Sequence, residues 1–83
     1  MNRNQFKALI MQIEQKTKNY IVLDRDKATV LIKGKKSYAL HSMNYKTRQY
    51  EWEIVDENRA KYLCNAHWFG HLFESMKQGV LNA

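Results

Sequence analysis

Eighty-three residues suffice for one small domain, taken here as residues 1–83. An apolar content of 45% beside a charged content of 27% excludes a mainly disordered chain, and no proline with only three glycines leaves no linker. The one cysteine, Cys64, excludes an internal disulfide, and with it a secreted disulfide scaffold.

The formal charge is +6, and it is concentrated. Residues 27–50 contain Lys27, Lys33, Lys35, Lys36, Lys46 and Arg48 and no acidic side chain, while acids and bases cancel in the rest. A basic segment of this kind suits phosphate polymers or other anionic surfaces. The apolar run Ala8–Met11 is bracketed by Lys7 and Glu14 and is too short for a signal peptide or a membrane span. The expected setting is cytoplasmic, with no membrane partner.

Residues 4–18 read as a helix. Phe6, Leu9, Ile10 and Ile13 follow the i, i+3, i+4, i+7 spacing of one apolar stripe, and Asn4 is the expected N-cap. Tyr20–Asp24 reads as a strand, Arg25-Asp26 as a turn, and Ala28–Lys33 as a second strand rich in β-branched residues. Gly34-Lys35 suits a two-residue hairpin, because a type II′ turn needs glycine first. Ser37–Asn44 and Gln49–Val55 follow as strands joined by a turn at Lys46-Thr47.

Two-residue turns set Val30 opposite Ile21 and Ala39, Met43 opposite Tyr50, and His41 opposite Trp52. Alternation then assigns Ile21, Leu23, Ala28, Val30, Ile32, Ala39, His41, Met43, Tyr50, Trp52 and Ile54 to a core face. The opposite face gathers Tyr20, Val22, Leu31, Tyr38 and Leu40, an apolar-aromatic surface that marks a contact site if no helix covers it. Residues 56–79 read as one long helix capped by Asp56, with Tyr62, Ala66, Phe69, Phe73 and Met76 as its stripe and Gly79 as its end. The rival reading makes Lys61–Cys64 a fifth strand. Either way the chain is an α+β domain: an N-terminal helix, a three- to four-stranded antiparallel meander, and a C-terminal helix.

Cys64, His67 and His71 have the spacing C-x2-H-x3-H. On one helix they fall within about 60° of each other, and thiolate with imidazole suits zinc. The second pair of ligands that structural zinc sites use is absent, so no metal or cofactor is expected. His41 and Ser42 are adjacent on a strand and point to opposite faces, Glu51 and Glu53 share a face, and neither a glycine-rich phosphate loop nor a nucleophile motif is present. Enzymatic activity is therefore not expected; the form to test would be RNA cleavage by His and Lys groups of the meander.

The order of elements is similar to that of double-stranded-RNA-binding domains and small toxin ribonucleases. The likeness ends there: Asp56-Glu57 precede the second helix, and a lysine-rich helix start is reduced to Arg59 and Lys61. No family follows from it.

The leading expectation is a non-enzymatic binding module acting on nucleic acid or a nucleoprotein through Lys33, Lys35, Lys36, Lys46 and Arg48, with Tyr38 stacking bases. The alternative is a protein-binding inhibitor or adaptor, of the kind phages and plasmids encode, or a homodimer, using Tyr20, Val22, Leu31, Tyr38 and Leu40.

Overall fold

Asn2 starts the first helix in the computed structural model, which describes residues 1–79 and Leu81. Helix α1 runs Arg3–Lys16. The Asn2 side chain accepts from the Gln5 N–H at 2.8 Å, and the Gln5 carboxamide oxygen accepts from the Asn2 N–H at 2.9 Å. This capping box satisfies two donors that helix geometry leaves open, and it places the cap at Asn2, not Asn4. Phe6, Leu9 and Ile13 are buried, as their spacing requires.

Four strands follow: β1 Tyr20–Asp24, β2 Thr29–Lys33, β3 Tyr38–Asn44 and β4 Gln49–Val55. They form one antiparallel meander in the order β1-β2-β3-β4. The β3–β4 register is the expected one, with Met43 opposite Tyr50, His41 opposite Trp52 and Ala39 opposite Ile54. Val30, however, faces His41 and not Ala39. The Gly34 N–H donates to the Ser37 carbonyl at 2.8 Å, so the turn is centred on Lys35-Lys36, one residue beyond the expected Gly34-Lys35. A shift of two leaves every side chain on its expected face.

The β1–β2 register shifts by one, which does not. Val22, not Ile21, lies opposite Val30, and a bulge intervenes between Val22 and Asp24. The turn is longer than Arg25-Asp26, and Ala28 adopts a left-handed φ of 51° to close it, its N–H donating to the Arg25 carbonyl at 3.2 Å. An odd shift flips a whole strand. Tyr20 and Val22 therefore face the α1 side, and Ile21 and Leu23 face the other.

The single long helix is two helices, α2 Glu57–Ala66 and α3 Gly70–Gln78, and Lys61–Cys64 is helical rather than a fifth strand. Asp56 caps α2 as expected, accepting from the Arg59 N–H at 2.7 Å. The break has a Schellman geometry: the Phe69 N–H reaches the Cys64 carbonyl at 2.7 Å, and the Trp68 N–H reaches the Asn65 carbonyl at 3.1 Å. Trp68 takes the left-handed position, φ 66°, that glycine normally fills. Gly79, φ 79°, ends α3 as expected. The split turns the stripe: Ala60, Leu63 and Cys64 of α2 and Phe73 and Met76 of α3 are buried, whereas Tyr62 and Ala66 are exposed.

Helices cover both sheet faces. Phe6, Leu9 and Ile13 of α1 enclose Ala28 and Val30 on one. On the other, α2 and α3 enclose Ile21, Leu23, Leu31, Tyr38, Leu40 and Val55. The Asn19 side chain fastens α3 to the start of β1 by donating to the Met76 carbonyl at 2.6 Å. The expected apolar-aromatic surface is thus corrected on two counts. Leu31, Tyr38 and Leu40 are core residues beneath α2 and α3, and Tyr20 and Val22 are half-buried against α1.

Coverage is unequal. Two helices span one face, but α1 alone meets the other. A helix with its side chains is about 10–12 Å wide, and four strands about 4.8 Å apart are wider. The α1 cluster reaches β1, β2 and Tyr50, and leaves the outer half of that face open. There Trp52 is 49% and Ile54 70% exposed, although alternation placed both in the core.

Candidate nucleic-acid interface

In a meander, alternate connections share an end of the sheet. The β2–β3 connection carries Lys33, Lys35 and Lys36 at the end where α1 finishes with Lys16, and Lys18 follows. The β1–β2 and β3–β4 connections lie at the opposite end, where α1 begins. Arg25, Lys27, Lys46 and Arg48 gather there with Arg3. The two ends are separated by the length of β3, roughly 20 Å.

At the first end, Lys35 and Lys36 are exposed, and Lys33 is half-buried. The Lys33 ammonium donates to the Gly34 carbonyl at 3.4 Å and lies 5.8 Å from the Tyr38 ring centroid, a cation–π contact. These lysines border an open cleft of about 650 Å³ that also includes Ser37, Ile54, Asp56 and Glu57. Both carboxylates there have other tasks: Asp56 caps α2, and Glu57 pairs with Lys77 at 3.5 Å.

At the second end the backbone is wound tightly. The Arg48 N–H donates to the Asn44 carbonyl at 2.7 Å, Arg48 has φ 57°, and the Asn44 side chain accepts from the Lys46 N–H at 2.9 Å. Lys46 and Arg48 point from a fixed turn and are exposed. Between Asn44 and Lys46 stands Tyr45, 70% exposed. Arg25 lies 5.6 Å from the Phe6 ring centroid, and the Asp24 carboxylate accepts from the Lys27 N–H at 3.1 Å.

Tyr38 lines the floor of the cleft bordered by Lys33, Lys35 and Lys36 but offers no open ring face to a base. It is 5% exposed, stacks on Phe73 with centroids 6.0 Å apart, and its hydroxyl is buried without a hydrogen-bond partner among the described residues. Burial, with the Glu57, Cys64 and Glu74 groups nearby, raises its pKa. Tyr20 is half-buried, and burial together with Glu14 raises its pKa as well. Tyr45 is the aromatic residue that accompanies the basic loops. Its position beside Lys46 was visible in the sequence, but the choice between strand and turn at residue 45 was not.

The zinc spacing is not realised. Cys64 is fully buried, and burial pushes its thiol up to about 11. His67 donates through Nδ1 to the Leu63 carbonyl at 2.9 Å, and His71 lies exposed on α3 beyond the break. Among the described residues no group of three or more His, Cys, Asp or Glu is placed to hold a metal. His41 is buried; its Nδ1 donates to the Ala28 carbonyl at 2.7 Å, and its ring stacks on Tyr50 and meets Trp52 edge-on. It braces the left-handed Ala28 turn. Glu51 and Glu53 are exposed on the α2–α3 side of β4, and Asn44 donates to Glu51 at 3.2 Å.

No helix among the described residues is long and apolar enough to cross a membrane. Compared with protein-family models, curated proteins and solved structures, the chain finds no match.

Proposed function

We propose that this chain is a non-enzymatic binding module that holds the phosphates of a nucleic acid, free or within a nucleoprotein, through its basic loops. The observation that carries this reading is a separation of charge along the fold. Residues 1–50, comprising α1, β1–β3, their connections and the first two residues of β4, contain eleven Lys or Arg against three Asp or Glu; residues 51–83 contain three against five. The basic part presents Lys35 and Lys36 at one end and Lys46 and Arg48 at the other, all exposed. Phosphate contacts of this kind act largely without regard to sequence, and Tyr45 supplies a ring against which an unpaired base can stack. His41 is committed to the Ala28 carbonyl within the core, which supports a binding role over acid–base chemistry.

The test is binding to short labelled single- and double-stranded DNA and RNA across a salt series. Affinity should fall steeply with salt, the slope reporting several displaced counterions. Lys35→Glu with Lys36→Glu, and separately Lys46→Glu with Arg48→Glu, should each reduce affinity about tenfold or more. Each pair should also flatten the slope by about 0.7–0.9 for every phosphate that is no longer neutralised. Absence of binding at low salt, or binding indifferent to both pairs, would refute the proposal.

A further inference from the structure

The outer edge of β4 bears a pattern distinct from the basic loops. Glu51 and Glu53 stand exposed on one face, and Trp52 and Ile54 stand exposed on the other. β4 pairs with β3 alone, and it is seven residues long, with no bulge, proline or lysine. The opposite edge, β1, has five residues and a bulge. Sheet edges are ordinarily blunted by shortness, bulges, proline or charge, and of these β4 has charge alone. Beside Trp52 an open groove of about 550 Å³ runs between α1 and the sheet, with Leu9, Ile13, Ile32 and Ala39 as its apolar walls and Gln12, Gln15 and Lys16 along the helix.

We infer that the β4 edge docks an extended segment of a partner protein in which basic and apolar residues alternate. Such a segment adds a fifth strand. Its main chain pairs with the outward N–H and C=O groups of β4, its basic side chains lie opposite Glu51 and Glu53, and its apolar side chains extend the Trp52–Ile54 row. A second copy of this chain does not fit. Two β4 strands joined antiparallel about a two-fold axis through the sheet must pair residues of the same face. Pairing Trp52 with its copy sets Glu51 against Glu53, and sliding by two residues either way sets Glu51 or Glu53 against itself. Like charges directly opposite are destabilising. The same carboxylates repel a nucleic acid, so although Ile54 borders the cleft of Lys33, Lys35 and Lys36, the inference does not rest on the phosphate-binding reading.

The test uses the whole chain in a Trp68→Phe background, so that Trp52 is the fluorescent reporter, with two short synthetic peptides, one alternating lysine with valine and one alternating glutamate with valine. The lysine peptide should shift Trp52 emission and slow hydrogen exchange at β4 amides by about tenfold or more at saturation. The glutamate peptide should do neither, and Glu51→Lys with Glu53→Lys should reverse the preference. The inference is overturned if the lysine peptide leaves β4 exchange unchanged, if both peptides act alike, or if an oligonucleotide protects the same amides. It is also overturned if sedimentation shows a dimer that Ile54→Asp dissolves, which would make a second copy the occupant.

Discussion

Replacing Tyr38 by phenylalanine separates a core residue from a base-stacking one. The substitution keeps the ring, its stacking on Phe73 at 6.0 Å and the Lys33 contact at 5.8 Å, and removes only the hydroxyl. That hydroxyl is buried and unpaired among the described residues. A buried polar group without a partner costs about 1–3 kcal/mol, and filling the same space with an apolar edge recovers part of it. Tyr38→Phe should therefore stabilise the fold by about 1 kcal/mol, a rise in Tm of about 4–8 °C for a chain of this size. Alkaline pH offers a second reading. The folded-state pKa of Tyr38 is raised, so above about pH 10 the unfolded chain loses the phenolic proton while the folded chain keeps it. Folded protein then binds more protons than unfolded, and stability falls as pH rises; the phenylalanine variant lacks that part of the fall. Urea unfolding followed by circular dichroism at pH 7 and across pH 9–11 measures both effects, and nucleic-acid binding measured in parallel should not change. Destabilisation by more than about 0.5 kcal/mol would mean that the hydroxyl has a partner, and would refute the reasoning.

Two further outcomes test the helical half. Trp68 is 88% exposed and held at φ 66°, where an L side chain costs about 1–2 kcal/mol; glycine relieves this at an entropic cost in the unfolded chain, so Trp68→Gly should stabilise by about 0.5–1 kcal/mol in urea unfolding, and a loss of stability would show that the indole makes contacts worth more than the strain. Burial raises the Cys64 thiol to about 11, so unfolding releases a proton above pH 9 and stability should decline between pH 9 and 11 by at most about 1.4 kcal/mol per pH unit; Cys64→Ala should shallow that decline, and an unchanged slope would refute the assignment.

The elements themselves were legible because each rests on local chemistry. Phe6, Leu9 and Ile13 repeat with helical period, Asp56 and Gly79 punctuate the C-terminal helices, and the β3–β4 register follows from a turn centred on Lys46-Thr47, although the connection runs through all of residues 45–48 rather than two. Sequence and structure part where two conformations of a short connection differ by one residue. A longer turn through Ala28 moved β1 by one position and exchanged Tyr20 and Val22 for Ile21 and Leu23. The helix break at Trp68 was hidden because a bulky residue occupies a left-handed position that the sequence signals only through glycine. The candidate site was half legible. Lys33, Lys35, Lys36, Lys46 and Arg48 lie in or beside connections, as their sequence setting implies, but Tyr38 is buried, and the exposed ring beside Lys46 is that of Tyr45.

The order of elements, the α+β class and the concentration of positive charge in the first fifty residues were determined by the sequence alone, since periodicity, turn residues and formal charge are local properties. Which residues remain at the surface was decided by tertiary structure. Tyr38 and Trp52 both alternate correctly within their strands, yet one lies under α2 and α3 and the other lies beyond the reach of α1. Alternation divides a strand into two faces, but only the number and width of the helices laid across the sheet determine how much of each face is covered.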